Sequence, residues 1–247
     1  MARCGSLEMK EHNGQTALHL AAAADQHTIV RDLLLHGAQV DARDLWGRSP
    51  VHVCAEKGHL LSLQSIWKAM APGRQPIDVD AFNYNGLTPL HAAVASHNAA
   101  VKELRLTGRA CLTATVELLQ RKRVSVECIK ILLLMGASFG MKDLKSGRTC
   151  LHIAAEEANV ELFAIFLSQR SSPAVVNAET FSGNTALHVA CSSLNRQTQV
   201  EAVKQLMENG ADPCARNMEK ELPSQLAPDG PVGGKVKRIL EGKRDHA

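Results

Sequence analysis

The sequence predicts an all-α solenoid built from β-turn plus helix–turn–helix units, with five full repeats and a degenerate C-terminal cap. Three observations lead there. A cassette, Gly-x-Thr/Ser-x-Leu/Val-His, occurs five times, as Gly14–His19, Gly47–His52, Gly86–His91, Gly147–His152 and Gly183–His188. Each copy runs directly into an apolar, Ala-rich stretch with helical periodicity. Further on, an apolar run closes with Gly-Ala at Gly37-Ala38, Gly136-Ala137 and Gly210-Ala211, where the glycine suits the left-handed end of a second helix.

The cassette histidines are spaced by 33, 39, 61 and 36 residues. A 33-residue unit with this signature resembles the ankyrin repeat, which makes the expected architecture an ankyrin-repeat solenoid. The repeats are expected at about 11–43, 44–81, 82–142, 143–178 and 179–216. Residues 1–10 read as the remnant of a preceding repeat, 217–243 as the cap and 244–247 as a tail. The second and fourth repeats lack the closing glycine and leave through Ala69-Met70-Ala71-Pro72-Gly73 and Ser171-Ser172-Pro173. In the third repeat, His91 to Gly136 is 27 residues longer than His19 to Gly37. The excess is expected at about 105–123, as an insertion projecting from one side, with a short helix over 113–123. Such a loop costs about 1–2 kcal/mol, because closure entropy grows only with the logarithm of length. Pro228 to Gly234 is expected to break the chain before a last polar helix over 235–240.

With 45% apolar residues in 247, the chain can bury a long core, expected as one row of repeats rather than two globules. No apolar run approaches the length of a membrane span. Seven cysteines show no Cys-x-x-Cys spacing, which points to a reduced intracellular chain without a zinc site. His19, His52, His91, His152 and His188 are read as structural ties between turns, not as metal or acid–base groups. Gly230-Pro231-Val232-Gly233-Gly234-Lys235 lacks the spacing and the following Ser/Thr of a phosphate loop. No catalytic residue, cofactor, metal, membrane or small-molecule substrate is therefore expected, and the reading is of a binding protein, not an enzyme.

Two sets of residues are candidates for binding. Trp46, Phe82, Tyr84 and Phe181 are half of the eight aromatics, and all sit at turn tips just ahead of a cassette glycine. Exposed aromatics on projecting turns suit a protein partner; packing on the neighbouring turn is the alternative. Arg43, Arg48, Lys142, Lys145, Arg216 and Asn217 flank equivalent turns and complete the partner-binding set. The second set is basic: Arg121, Lys122 and Arg123 in the insertion, and Lys235, Lys237 and Arg238 near the end. From residue 235 onward five basic residues, with Lys243 and Arg244, face only Glu241 and Asp245, an excess of +3 equal to that of the whole chain. These basic residues are candidates for peripheral contact with a DNA backbone.

Some stretches depart far from the repeat consensus. They include Glu11-His12-Asn13-Gly14-Gln15, Asp44-Leu45-Trp46-Gly47-Arg48, His52-Val53-Cys54-Ala55-Glu56-Lys57-Gly58-His59, Asp143-Leu144-Lys145-Ser146-Gly147-Arg148-Thr149, Glu156-Glu157-Ala158-Asn159 and Pro228-Asp229-Gly230-Pro231-Val232-Gly233. With the third-repeat insertion, they resemble the nuclear, atypical inhibitors of NF-κB, from about Leu7 to Lys243. The resemblance implies a nuclear regulator of inflammatory and immune genes. Its ankyrin face would bind a Rel-homology homodimer of the type lacking a transactivation region, with indirect or peripheral contact to DNA. The nucleus is the expected location, with the cytoplasm second. The long N-terminal transactivation region of the family is not in this sequence, which reads as a fragment or short form, so activation is not implied. Two alternatives stay open: a cytoplasmic-type inhibitor that removes the dimer from DNA, and a generic ankyrin scaffold or adaptor. The basic end, with no acidic tail and no N-terminal phosphorylation degron, favours the nuclear reading.

Overall fold

Each cassette starts a helix, and its six residues explain why. A computed structural model describes residues 7–69, 77–107, 112–194 and 197–242. The first helices of the five repeats are α1 (Ala17–Ala23), α3 (Pro50–Lys57), α5 (Pro89–Thr107), α7 (Cys150–Glu156) and α10 (Ala186–Ser192). The second helices are α2 (His27–Leu35), α4 (Leu60–Ala69), α6 (Leu112–Leu134), α8 (Val160–Leu167) and α11 (Gln199–Glu208). A single turn, α9 (Ser172–Val175), follows α8 where the fourth repeat lacks its closing glycine. A 3₁₀ turn at Pro223–Gln225 and helix α12 (Pro231–Glu241) form the cap. The described residues contain no strand, and the all-α ankyrin fold is the one expected.

Within a cassette the glycine adopts φ of 70–76° at the end of the turn, and the Thr or Ser then caps the helix. Ser49 is the plainest case: its extended backbone opens α3 and its hydroxyl accepts the His52 N–H. The leucine or valine that follows is driven inward: Leu18, Val51, Leu90, Leu151 and Leu187 are all buried. Each such side chain contributes about 1.5–3 kcal/mol by leaving water. Gly37, Gly136 and Gly210 take φ of 88–97° and stop the second helices as expected.

The chain divides into two compact bodies, residues 1–138 and 139–247. The first holds three repeats, with α1 against α3, α3 against α5 and α2 against α4. The second holds two repeats and the cap, with α7 against α10, α8 against α11 and α12 against α11. Its core is richer in aromatics: Phe163 and Phe166 are fully buried, and Phe139 stacks on Phe166 with ring centroids 5.3 Å apart.

Two expectations are corrected. The extra residues of the third repeat do not form a projecting loop with a short helix. They lengthen both helices of the repeat, so α5 has 19 residues and α6 has 23, packed along one another. Composition explains this, since Glu103-Leu104-Arg105-Leu106 and Glu117-Leu118-Leu119-Gln120 are strong helix formers. Likewise the break expected over 228–234 ends early. Helix α12 begins at Pro231, where proline at the first turn gives up no helical hydrogen bond. It buries Gly233, Val236 and Leu240, and the bare Gly233 lets it approach the Pro228 carbonyl more closely than a side chain would permit. The exit through 70–73, Lys243 and Arg244 lie outside the described residues.

Candidate protein-interaction surface

The turns carry the candidate site, and buried side chains hold their shape. In the second repeat the Asp44 carboxylate accepts the N–H groups of Trp46 (2.9 Å) and Arg48 (2.8 Å). Asn83 does the same for Asn85 and Leu87, and Asp143 for Lys145 and Ser146. Burial alone would raise the Asp143 carboxyl, but hydrogen bonds from Ser146, Lys145 and Arg148 hold it at about 2. Successive turns are then linked through the backbone. The Leu45 N–H donates to Asn13 and the Tyr84 N–H to Trp46 in the first body, and Phe181 donates to Ser146 and Met218 to Ser182 in the second.

The histidines join helix start to turn. In each cassette Nδ1 stands 2.8–2.9 Å from the capping hydroxyl. Nε2 of His19, His52, His152 and His188 meets a carbonyl of the next repeat, at Arg48, Leu87, Asn184 and Glu221. A carbonyl only accepts, so the Nε2–H tautomer donates to it while Nδ1 accepts. Burial depresses all four pKa values, those of His52 and His152 to about 4. These rings are neutral ties, as the sequence indicated.

Of the four aromatic candidates, three are exposed: Trp46, Tyr84 (75%) and Phe181. Phe82 is half-buried. Both ideas about these rings hold at once, because each exposed ring also rests on the preceding turn. Tyr84 covers Gly47 and Phe181 covers Gly147. Gly47 is consequently doubly constrained, by φ of 70° and by the Tyr84 ring 2.5 Å from where a Cβ would stand. Gly37 shares a positive φ but has open space around it. The left-handed strain alone costs about 1–2 kcal/mol for a residue with a Cβ. Gly47→Ala is therefore expected to lower the urea midpoint more than Gly37→Ala, and equal losses would contradict this packing.

The basic candidates are more mixed. Arg48 forms an ion pair with Asp44 (2.9 Å) and another with Glu56 (3.1 Å), and its guanidinium lies 4.7 Å from the Trp46 ring centroid. It positions Trp46 by a cation–π contact. Arg43 donates to the carbonyls of Gly47 and Phe82, and Arg216 to Lys220. Both brace their turns. Asn217 is buried, and its amide bonds Asn184 and Glu221, so it shapes the turn and presents no side chain to a partner. Lys142 and Lys145 are exposed.

Arg121, Lys122 and Arg123 do not form one patch. They occupy the middle of α6, and consecutive helical residues point about 100° apart. Lys122 is half-buried, whereas Arg121 and Arg123 are exposed. Arg121 joins Trp46, Arg48, Lys57, Asn85 and Ser96 around a groove of about 880 Å³ in the first body. On α12, Lys235 and Arg238 are exposed and Lys237 half-buried.

The search for aromatics missed the larger pattern. The residue after the turn's Asp, Asn or Thr is a large exposed apolar one in every case: Leu45 and Tyr84 in the first body, Leu144, Phe181 and Met218 in the second. Register against the cassette glycine would have found it; a filter on ring chemistry could not.

An ankyrin-repeat profile, described as Ankyrin repeats (3 copies), matches residues 3–71, 33–113 and 120–217. The chain is 54% identical over 237 residues to NF-kappa-B inhibitor zeta of Bos taurus, covering 96% of this chain and 33% of that protein. The human zeta protein matches to the same extent. NF-kappa-B inhibitor delta of Mus musculus is 38% identical over 240 residues, with 96% of this chain and 70% of that protein covered. Among solved structures, the ankyrin repeat domain of Bcl-3, described as a member of the IkappaB family, superposes with a TM-score of 0.72 at 29% identity. It covers 96% of this chain and 86% of that one. The chain spans about a third of the length of the zeta proteins.

Proposed function

The chain belongs to the ankyrin-repeat family of NF-κB inhibitors, and from that premise we propose that it is a nuclear transcriptional co-regulator. It binds NF-κB Rel-homology dimers through its ankyrin turns and modulates inflammatory and immune genes. The partner is a homodimer of the type lacking a transactivation region. The observation that carries this reading is the row of apolar side chains on the turns. Leu45, Trp46 and Tyr84 in one body and Leu144, Phe181 and Met218 in the other are large, exposed and rigidly mounted on hydrogen-bonded turns. Pre-mounted apolar anchors lose little entropy on binding.

The nuclear role requires joining a dimer that already holds DNA. Exposed Lys235 and Arg238 on α12 favour approach to a phosphate backbone. A ternary complex of chain, dimer and κB duplex is expected, with an affinity that falls as salt rises through counterion release. Replacing Lys235, Lys237 and Arg238 with glutamate should weaken the ternary complex and spare the binary one with the dimer. A gel-shift titration distinguishes the outcomes. A supershifted band supports the co-regulator, whereas loss of the dimer–DNA band without a supershift supports an inhibitor that strips the dimer from DNA.

A further inference from the structure

The lengthened α6 creates a second recess, separate from the row of turn tips. Val116, Gln120 and Val124 recur one helical turn apart and share a face. That face and the end of α3, at Lys57-Gly58, enclose a groove of about 430 Å³. Gly58 opens it: the residue ends α3 at φ of 73°, and a Cβ there would first meet the Val124 side chain at 3.8 Å. Val116 is 65% exposed. Two exposed cations border the groove. The Lys57 ammonium donates only a long 3.4 Å bond to the Ala23 carbonyl, and no ion pair involves Arg121 among the described residues. The same two cations border the neighbouring 880 Å³ groove. There Arg48 is already neutralised by Asp44 and Glu56, which leaves Lys57 and Arg121 as the unspent positive charge.

We propose that this recess docks an acidic amphipathic helix from a protein partner. One apolar side chain enters between Gly58, Val116 and Val124, and carboxylates a turn away meet Lys57 and Arg121. The complementarity is specific in kind. An apolar slot of this length, two turns of α6, fits the apolar edge of a helix lying in a groove. A nucleic acid backbone gains nothing from a valine-lined slot, and Glu117 on the same wall repels its phosphates.

The test uses the whole chain and a fluorescein-labelled 18-residue peptide, with leucine at helical i, i+3, i+7 spacing and Asp/Glu elsewhere. A scrambled peptide of the same composition and a 20-base-pair duplex serve as competitors, all followed by fluorescence anisotropy. The amphipathic peptide is expected to bind at least tenfold tighter than the scramble and to lose at least fivefold with Arg121→Glu. Val116→Ser should cause a similar loss, and Gln120→Glu on the same face should also weaken it. Val116 and Arg121 are exposed, so melting curves of these variants should overlay the parent's. Lys235→Glu, far along the chain, should leave binding unchanged. Equal binding of both peptides, indifference to Val116→Ser, or displacement of the peptide by duplex at equal concentration would each overturn the proposal.

Discussion

Replacing His152 with alanine is expected to remove about 3–5 kcal/mol of stability, read from urea denaturation. The variant leaves a cavity in a fully buried site. It also strips partners from the Thr149 hydroxyl and the Asn184 carbonyl. His36, exposed at the end of α2, is the control, and its alanine variant should change stability by no more than about 0.5 kcal/mol. The same residue carries a pH signature. Burial holds His52 and His152 at about 4 in the folded chain against an ordinary value of 6.5. Between those values the unfolded chain takes up protons that the folded one refuses, so stability falls as pH drops from about 6.5 to about 4. It is complete above that window. Each ring contributes up to about 3 kcal/mol to the loss. His152→Ala should show a shallower acid limb than the parent, and an unchanged limb would mean that the ring does not titrate as described.

Trp46→Ala and Tyr84→Ala are each expected to weaken binding to a purified Rel homodimer by about 1–3 kcal/mol, roughly a tenfold to hundredfold loss. Thermal melts should show the fold intact. Calorimetric titration separates the two roles of each ring. Tyr84 also covers Gly47, and Trp46 receives the Arg48 guanidinium, so a small change in melting temperature is expected with both. If both variants bind as the parent does, or if both unfold, these rings are braces for the turns and not anchors. Leu45→Ala, at the equivalent place on its turn, extends the test to the position that sequence reading overlooked.

The repeats were legible because five copies of one cassette impose the same local physics five times. Gly47, Ser49, Val51 and His52 each have a single structural task, and their spacing alone reveals it. The third repeat was not legible in the same way. Counting from His91 to Gly136 gives a surplus of residues but does not say whether it loops out or lengthens the helices. The high helix propensity of Glu117–Gln120 was the available clue. The binding surface was half legible. Tyr84 and Phe181 stood out as aromatics, but Leu144 and Met218 look ordinary until the turns are aligned. Asn217 was misread because its polar side chain, conspicuous in sequence, is spent on its own turn.

The histidine ties give the array a direction. Each ring belongs to one repeat and donates its Nε2 proton to a carbonyl supplied by the following one. Trimming a repeat from the front of either body leaves behind a carbonyl, which water readily satisfies. Trimming from the back leaves a buried imidazole N–H aimed at nothing, a more costly vacancy. Within each body, then, a repeat leans on its successor more than on its predecessor. Truncations of equal length from opposite ends should differ in solubility, and shortened versions should be designed with their last turn retained.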